Sequence, residues 1–213
     1  GLLDDHGSRV NMAYQAEWVK KSPAEAVVRL SLAEADITYA KTVTFFADRP
    51  VLQVDYQIEN RSQSPNRLLF RNVVRPGGQD FTGREIHCYS RVPGLQRTSG
   101  MPRTDDQADP WCALVDPEVK IAVANAFEGD VLARLYTWGG SKVAPTYEFM
   151  FPDLEAGRSY QVRYYWLLAH GFTAVDYAHR NFVTQIEGEY KGGKLAAAIT
   201  LAVTGSGLTL FGI

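Results

Sequence analysis

Alternation of apolar and polar residues with a period of two dominates this chain and constrains its fold more than any other feature. Three alternating runs follow one another with only short breaks between them: residues 24–32, 36–46 and 50–59. In the third run, Val54, Tyr56 and Ile58 alternate with polar residues. Successive side chains of a strand point to opposite faces, so the pattern indicates antiparallel sheet with one dry and one wet face. The chain is therefore predicted to be all-β.

The rest of the chain divides into regions that differ in how regularly apolar and polar residues alternate. Further strands are predicted at residues 68–75, 111–115, 119–127, 131–138, 146–151 and 160–169. Residues 76–110 are poor in alternating apolar residues and predict a long excursion with one short strand near 86–89. One short helix is predicted at 173–181. After Phe182, three strand-like runs separated by KGG and GSG turns predict a second unit.

The predicted organisation is one large domain at residues 1–182 and additional strands at 183–213. We interpret the additional strands as the start of a small, Ig-like β-sandwich module, and strands added to the edge of the main domain are the alternative. A chain of 213 residues is long enough for one large all-β domain, or for one domain and part of another.

Composition excludes several classes of function. The formal net charge is −2 and no basic block occurs, which disfavours nucleic-acid binding by charge neutralisation. The longest apolar stretch, near 195–203, is too short to span a bilayer. The 11 Tyr, 10 Phe and 4 Trp suit strands and also suit sugar-binding surfaces, although most are expected to pack in a β core.

No metal site and no cofactor are predicted. Cys88 and Cys112 form no CxxC pair and have no His at metal-ligand spacing, and two cysteines alone do not establish a disulfide. His6 lies beside Asp4 and Asp5, a cluster that could bind a cation or a sugar, but a frayed terminus is the preferred interpretation. The abrupt start GLLDDHG suggests a boundary inside a longer protein.

The most informative single residue is Glu148, in the stretch TYEFMFPDLEAGRSY at 146–160. A strand carboxylate there either points outward into water or lines a pocket. Alternation predicts that its neighbours Tyr147 and Phe149 pack into the core on the opposite face.

Two stretches resemble the galactose mutarotase-like superfamily of carbohydrate-active proteins. The first lies within residues 42–78, where a strand with the pattern L-x-V-x-Y-x-I-x-N spans Leu52 to Asn60 and leads through a polar turn to residues 68–75. The second places Glu148 before a Phe-Pro-Asp turn at 151–153, an Ala-Gly pair at 156–157 and a last long strand. The resemblance covers residues 10–172 in the same order. It implies a β-supersandwich of two large antiparallel sheets whose concave face holds a sugar.

The resemblance also implies candidate site residues. The family opens sugar rings with a carboxylate base and a histidine acid, and Glu148 falls at the position of the base. The family's usual Asn-His pair falls near residues 71–73, where this chain has no His, so His87 is the candidate replacement acid. The candidate substrate-binding residues are Arg71, Asn72, Trp111 and Trp138, of which Arg could bind hydroxyls with its planar fork and Trp could stack on sugar rings.

We therefore expect a carbohydrate-recognising domain of a larger, extracytoplasmic glycan-processing protein. Its expected partners are a carbohydrate ligand and other domains of the parent chain, with no nucleic acid and no membrane span. Two alternatives stay open. One is an aldose 1-epimerase (mutarotase) that uses Glu148 as its base, and the other is a structural sandwich domain of a polysaccharide lyase or glycoside hydrolase.

Overall fold

The computed structural model is all-β. It describes residues 2–3, 12–34, 36–63, 71–74, 83–92, 94–98, 103–106, 108–129, 134–140, 143–180, 182–191, 194–203 and 206–212. These residues contain no helix. In chain order the strands are β1 (Leu2–Leu3), β2 (Gln15–Lys21), β3 (Glu25–Ala33), β4 (Ile37–Phe46), β5 (Val51–Asn60), β6 (Arg71–Val74), β7 (Glu85–Ser90), β8 (Gly94–Thr98), β9 (Arg103–Asp105), β10 (Ala108–Asp116), β11 (Ile121–Phe127), β12 (Arg134–Gly140), β13 (Val143–Met150), β14 (Ser159–His170), β15 (Tyr177–His179), β16 (Phe182–Lys191), β17 (Lys194–Val203) and β18 (Ser206–Gly212).

The strands form three sheets. A nine-stranded sheet has the order β2-β3-β4-β5-β14-β11-β10-β7-β8, and a five-stranded sheet has the order β1-β6-β13-β12-β9. A four-stranded sheet runs in chain order from β15 to β18. Every strand pairing among the described residues is antiparallel, as the alternating pattern predicts.

The five-stranded and nine-stranded sheets pack face to face around one core, which we call the sandwich core. Alternate residues of β4, β5, β7, β10 and β14 supply one wall, and residues of β12 and β13 supply the other. Phe127 of β11 contacts Phe149 of β13 with ring centroids 4.4 Å apart, and stacks on Tyr164 of β14 at 4.9 Å. These buried aromatic rings join the two sheets, which is the core packing that the sequence predicts for aromatic residues.

A second core lies on the other face of the nine-stranded sheet. Small and apolar residues of β10, β11 and β14 on this face pack against the segment that precedes and begins the four-stranded sheet. That segment contributes Phe172, Val175, Ala178 and Val183, all buried. The nine-stranded sheet is therefore covered on both faces along part of its width, which explains the alanine-rich outer face of β11.

The helix predicted at 173–181 is wrong. The backbone N–H groups of Thr173 and Ala174 donate to Oε1 of Gln185 at 2.7 and 2.9 Å, so a side chain of β16 takes the place of intrahelical acceptors. The N–H of Asp176 donates to the carbonyl of Thr184, and β15 follows as a strand paired with β16. Tertiary pairing has overridden the local preference of this segment.

The excursion predicted at 76–110 is described at 83–92, 94–98, 103–106 and 108–110, and these residues are more regular than expected. Its other residues lie outside the described part of the chain. The expected short strand is present as β7, but β8 and β9 also lie in this region, and β10 begins already at Ala108. Another strand that was not predicted from the sequence is β2, an edge strand of the nine-stranded sheet. Its seven residues are all exposed, so no apolar alternation marks it.

The proposed domain boundary at 182–183 falls at the start of β16 and remains a prediction. β15 precedes that boundary but belongs to the four-stranded sheet, and Val183 belongs to the second core.

The two stretches that carry the family resemblance meet at Asn60. Its side chain is buried, its Nδ2 donates to the carbonyl of Leu154 at 3.0 Å, and its Oδ1 accepts from the N–H of Ser62 at 3.0 Å. The Asn60 carbonyl accepts from the N–H of Gly157, whose φ of 70° suits glycine in this turn. Asn60 thus fastens the turn between β13 and β14 to the end of β5.

Candidate functional site

Glu148 lies on the face of the five-stranded sheet that points away from the sandwich core. Its neighbours Tyr147 and Phe149 are both 0% exposed and belong to that core, as alternation predicts. Glu148 is itself only 6% exposed, so the carboxylate is not a solvated surface group. A buried carboxylate on an outer sheet face is uncommon enough to mark a candidate site.

The strand register defines what surrounds Glu148. Tyr136 of β12 lies directly opposite Glu148 on one side, and Val73 of β6 lies opposite on the other. One step along the same face, Trp138 lies opposite Thr146. We call the set formed by Glu148, Thr146, Met150, Tyr136 and Trp138 the Glu148 face.

Chemically, the Glu148 face combines hydrogen-bonding groups with aromatic surface. Thr146 is fully buried and Met150 nearly so, whereas Tyr136 and Trp138 are partly exposed. A carboxylate accepts hydrogen bonds from hydroxyl groups, the phenol of Tyr136 adds a hydroxyl, and both aromatic side chains offer ring faces. Such a surface can bind a polar ligand that also has an apolar side.

The two predicted residues on β6 occupy different faces by register. Arg71 lies opposite Met150, which is two residues from Glu148, so its register position belongs to the Glu148 face. Asn72 lies opposite Phe149, so its register position belongs to the core face. The structure thus brings the positions of Glu148 and Arg71 onto one face, and it does not bring Asn72 there.

His87 lies far from this face in the architecture. It belongs to β7 of the nine-stranded sheet and is 0% exposed. Its neighbours Ile86 and Cys88 belong to the sandwich core, so His87 faces the second core on the other side of its sheet. Two complete sheets therefore separate His87 from the Glu148 face, and the role of partner acid has no geometric support.

Hydrogen bonds assign a structural role to His87. The N–H of Val175 donates to Nδ1 of His87 at 3.1 Å, and Nε2 of His87 lies 2.9 Å from Oε2 of Glu85. Because Nδ1 accepts, Nε2 carries the proton and donates to Glu85. Burial lowers the pKa of His87 below its usual value, and the hydrogen bond to Glu85 opposes that shift. His87 thus anchors the segment that covers the second core.

Trp111 and the two cysteines also serve packing. Trp111 is 1% exposed in the second core and makes an edge contact with Tyr177 at 6.3 Å, so it lies away from the Glu148 face. Cys88 and Cys112 form no disulfide, and they are buried and directly opposite each other in β7 and β10. Burial raises the pKa of the Cys112 thiol well above its usual value, which makes it a poor nucleophile.

Tyr136 is a candidate site residue that was not predicted from the sequence, whereas alternation along the strand of Glu148 already predicts Thr146 and Met150 on its side. Alternation in 131–138 already put Tyr136 and Trp138 on the same face of one strand. What the sequence did not contain was the pairing of that strand with β13, which places Tyr136 beside Glu148.

Among the residues that the structure describes, no group of three or more His, Cys, Asp or Glu side chains could hold a metal ion. The predicted cluster of Asp4, Asp5 and His6 lies outside the described residues. Within the described ranges no helix is long and apolar enough to cross a membrane.

Comparison with known proteins identifies the fold. No protein-family model matches the sequence, and the curated proteins contain no match to it. Among solved structures, a candidate aldose 1-epimerase from Klebsiella pneumoniae is similar with a TM-score of 0.56 and 11% identity, over 73% of this chain and 53% of that chain. A protein from Synechocystis sp. is similar with a TM-score of 0.52 and 13% identity, over 78% of this chain and 69% of that chain. A mutant of heparan sulfate lyase HepC from Pedobacter heparinus matches with a TM-score of 0.49 and 11% identity, over 93% of this chain and 28% of that chain.

The chain therefore has the galactose mutarotase-like antiparallel β-supersandwich fold, as the sequence motifs predict. The two scores above 0.5 support this statement, and the third does not contribute to it. Identities of 13% and below establish the architecture alone, because one fold of this kind hosts many functions. This chain spans about half of the Klebsiella protein, 53% of its length.

Proposed function

We propose that the chain is a carbohydrate-recognising supersandwich domain that binds a sugar on the Glu148 face. The observation that carries the proposal is the position of Glu148. It is a buried carboxylate on the outer face of the five-stranded sheet, directly beside Tyr136 and one step from Trp138. The fold that this chain shares with a candidate aldose 1-epimerase supports a sugar as the ligand.

The chemistry of the Glu148 face suits a saccharide. Sugar hydroxyls donate hydrogen bonds to a carboxylate, and the ring of Trp138 or Tyr136 can stack on the apolar side of a pyranose. The register position of Arg71 also belongs to this face, and arginine is a residue type that donates hydrogen bonds to hydroxyl or carboxylate oxygens. An uncharged or acidic sugar would both find partners on this face.

A mutarotase that uses Glu148 as its base is the second candidate. The position of Glu148 favours it, but ring opening also needs an acid that protonates the ring oxygen. None of the strands β1, β6, β9, β12 and β13 contains a histidine, and His87 lies behind the other sheet. We therefore expect binding without catalysis.

Binding and catalysis are separated by one substitution and two measurements. Glu148→Gln keeps the shape of the side chain and removes its charge and basicity. We expect titration of the protein with neutral and acidic monosaccharides, followed by calorimetry, to give a Kd that rises about tenfold in Glu148→Gln, since a hydrogen bond to a charged group is lost. Polarimetry of freshly dissolved α-D-galactose should show no acceleration by either protein.

A matched control is Glu155→Gln, which makes the same chemical change at an exposed carboxylate in the turn after β13. It should bind like the parent protein. Acceleration of galactose mutarotation that is lost in Glu148→Gln would establish the mutarotase instead. A protein that binds no sugar on a glycan array would leave the structural sandwich as the remaining function.

We also propose a parent protein and a cellular compartment for this domain. We place the domain in a larger glycan-processing protein outside the cytoplasm, following the resemblance of its motifs. Fractionation of the source cells with an antibody against this domain tests both points, because it reports the size of the parent chain and its compartment.

A further inference from the structure

The nine-stranded sheet carries a polar groove that is separate from the Glu148 face. The groove has a volume of about 470 Å³ and lies over β3, β4, β5 and β14. Its lining includes the polar side chains of Arg29, Thr42, Asp55, Gln57, Gln161 and Arg163. We call it the outer groove.

Strand alternation places the outer groove on the face opposite the sandwich core. Val54, Tyr56 and Ile58 of β5 are core residues, so Asp55 and Gln57 between them point to the other side. The Glu148 face belongs to a different sheet, and the sandwich core lies between the two surfaces. A ligand in the outer groove therefore cannot contact Glu148.

Each charged side chain of the outer groove has an oppositely charged neighbour, and the loosest of these pairs joins Nε of Arg29 to Oε1 of Glu17 at 3.9 Å. Nε of Arg163 donates to Oδ1 of Asp55 at 2.5 Å, and Nε2 of Gln53 donates to Oδ2 of the same carboxylate at 2.8 Å. Glu128, which also lines the groove, accepts from the Tyr165 hydroxyl at 2.8 Å and pairs with Arg180 at 3.1 Å. A charged ligand would have to compete with these pairs, so the groove favours a neutral one.

The groups that remain available are neutral amides and a hydroxyl. Gln57 and Gln161 lie directly opposite each other in β5 and β14, and both are exposed. Among the described residues, neither carboxamide has a hydrogen-bond partner. Directly opposed residues have Cβ atoms about 5 Å apart, so the two amides can contact adjacent groups of one ligand. Each amide offers two N–H donors and one carbonyl acceptor, and the Thr42 hydroxyl offers one more of each.

We propose that the outer groove is a second binding site, for a neutral saccharide. Vicinal hydroxyls both donate and accept hydrogen bonds, which matches a pair of carboxamides beside a hydroxyl. The groove volume lies within the range of about 300 to 1,000 Å³ that is typical of small-molecule sites. The lining contains paired charges and no excess of either sign, which distinguishes it from a site for a phosphate or a metal ion.

The direct test observes the two amides themselves. In ¹H–¹⁵N spectra of the whole chain, the side-chain NH₂ resonances of Gln57 and Gln161 are followed during titration with galactose, maltose and cellobiose. We expect saturable shifts of both pairs of resonances with a Kd on the order of 1 to 10 mM for at least one sugar. Glucuronate and sodium sulfate, added separately, should shift them less than the neutral sugars do.

Matched variants assign the binding to the outer groove. The double variant Gln57→Ala/Gln161→Ala removes two exposed amides, so the fold is retained, and the saccharide Kd at this site should rise about tenfold, as reported by the backbone amides of Thr42 and Arg163. Gln15→Ala, an exposed glutamine on the edge strand β2, should leave the Kd unchanged. Glu148→Gln should also leave it unchanged, so failure of the Glu148 site and failure of the outer groove are distinguishable.

Three results would overturn the proposal. One is the absence of saturable shifts of the Gln57 and Gln161 resonances with any of the three sugars. Another is a stronger response to sulfate or glucuronate, which would indicate an anion site. The last is unchanged affinity in the double variant, which would show that the sugars bind elsewhere.

Discussion

His87 shows at the scale of one residue how burial converts a candidate catalyst into a structural group. Its ring is fully buried, accepts from the N–H of Val175 and donates to Glu85. Burial is the largest influence and lowers the pKa of His87, and the positive charge of Arg97 lowers it further. The neutral ring is therefore the form that the folded protein stabilises.

The lowered pKa predicts a stability that decreases in mild acid. Below a pH of about 6.5 the unfolded chain takes up a proton at this residue while the folded protein does not, so unfolding becomes easier as the pH falls toward the folded pKa. The free energy of unfolding should fall by up to about 1.4 kcal/mol per pH unit in that range. Urea denaturation at a series of pH values between about 5.5 and 7.5 measures it.

Two glutamine substitutions assign the effect to His87. His87→Gln removes the titrating ring, so it should lower stability at neutral pH and flatten the dependence on pH below it. His170→Gln makes the same change at an exposed histidine and should keep the dependence of the parent protein. If His87→Gln and the parent protein lose stability equally as the pH falls, then the burial of His87 is not the cause.

At the scale of elements, the turn between β13 and β14 depends on Asn60 at the end of β5. Asn60→Ala leaves the buried carbonyl of Leu154 without its donor, so the free energy of unfolding should fall by about 2 kcal/mol. Chemical denaturation of Asn60→Ala measures the loss. Gln57→Ala, an exposed position on the same strand, should change stability by less than about 0.5 kcal/mol. Equal losses in the two variants would contradict the anchoring role.

Strands could be predicted from the sequence wherever one face of the strand is buried and the other is more exposed. The pattern of β5 shows this well, because buried and more exposed residues alternate along it. The same signal is missing in β2, which is exposed on both sides, and in β8, whose residues are mostly half-buried without alternation. The segment 173–181 was wrongly predicted as a helix because Gln185 holds the backbone N–H groups at its start, and a contact from another element leaves no mark on local sequence.

The whole molecule shows why only part of the candidate site could be predicted. Alternation along β13 correctly predicts that Glu148 and Tyr147 lie on opposite faces of the sheet. This prediction needs only the sequence of the strand itself. Which strands lie beside β13 depends on sheet order, so Tyr136 was not recognised as its neighbour and His87 was considered as a partner although it lies behind the other sheet. Alternation with a period of two shows only which face of its own strand a residue occupies. It does not show whether one sheet or two separate that residue from a residue of another strand.

The architecture also predicts how much of the chain the supersandwich needs. A boundary at 182–183 would leave the second core without Val183 and would remove Gln185, whose Oε1 accepts from two backbone N–H groups of the covering segment. Gln185→Ala alone should lower stability by about 2 kcal/mol, or the Tm by about 4 to 8 °C, because those donors become unsatisfied.

A chain ending at residue 182 should lose at least as much stability as Gln185→Ala, whereas a chain ending at residue 191 keeps all of β16 and should melt closer to the full chain. Calorimetry of the three shortened or substituted proteins beside the parent measures this. Equal Tm values for chains ending at 182 and 191 would show instead that residues 183–213 form a separate module that the supersandwich does not require.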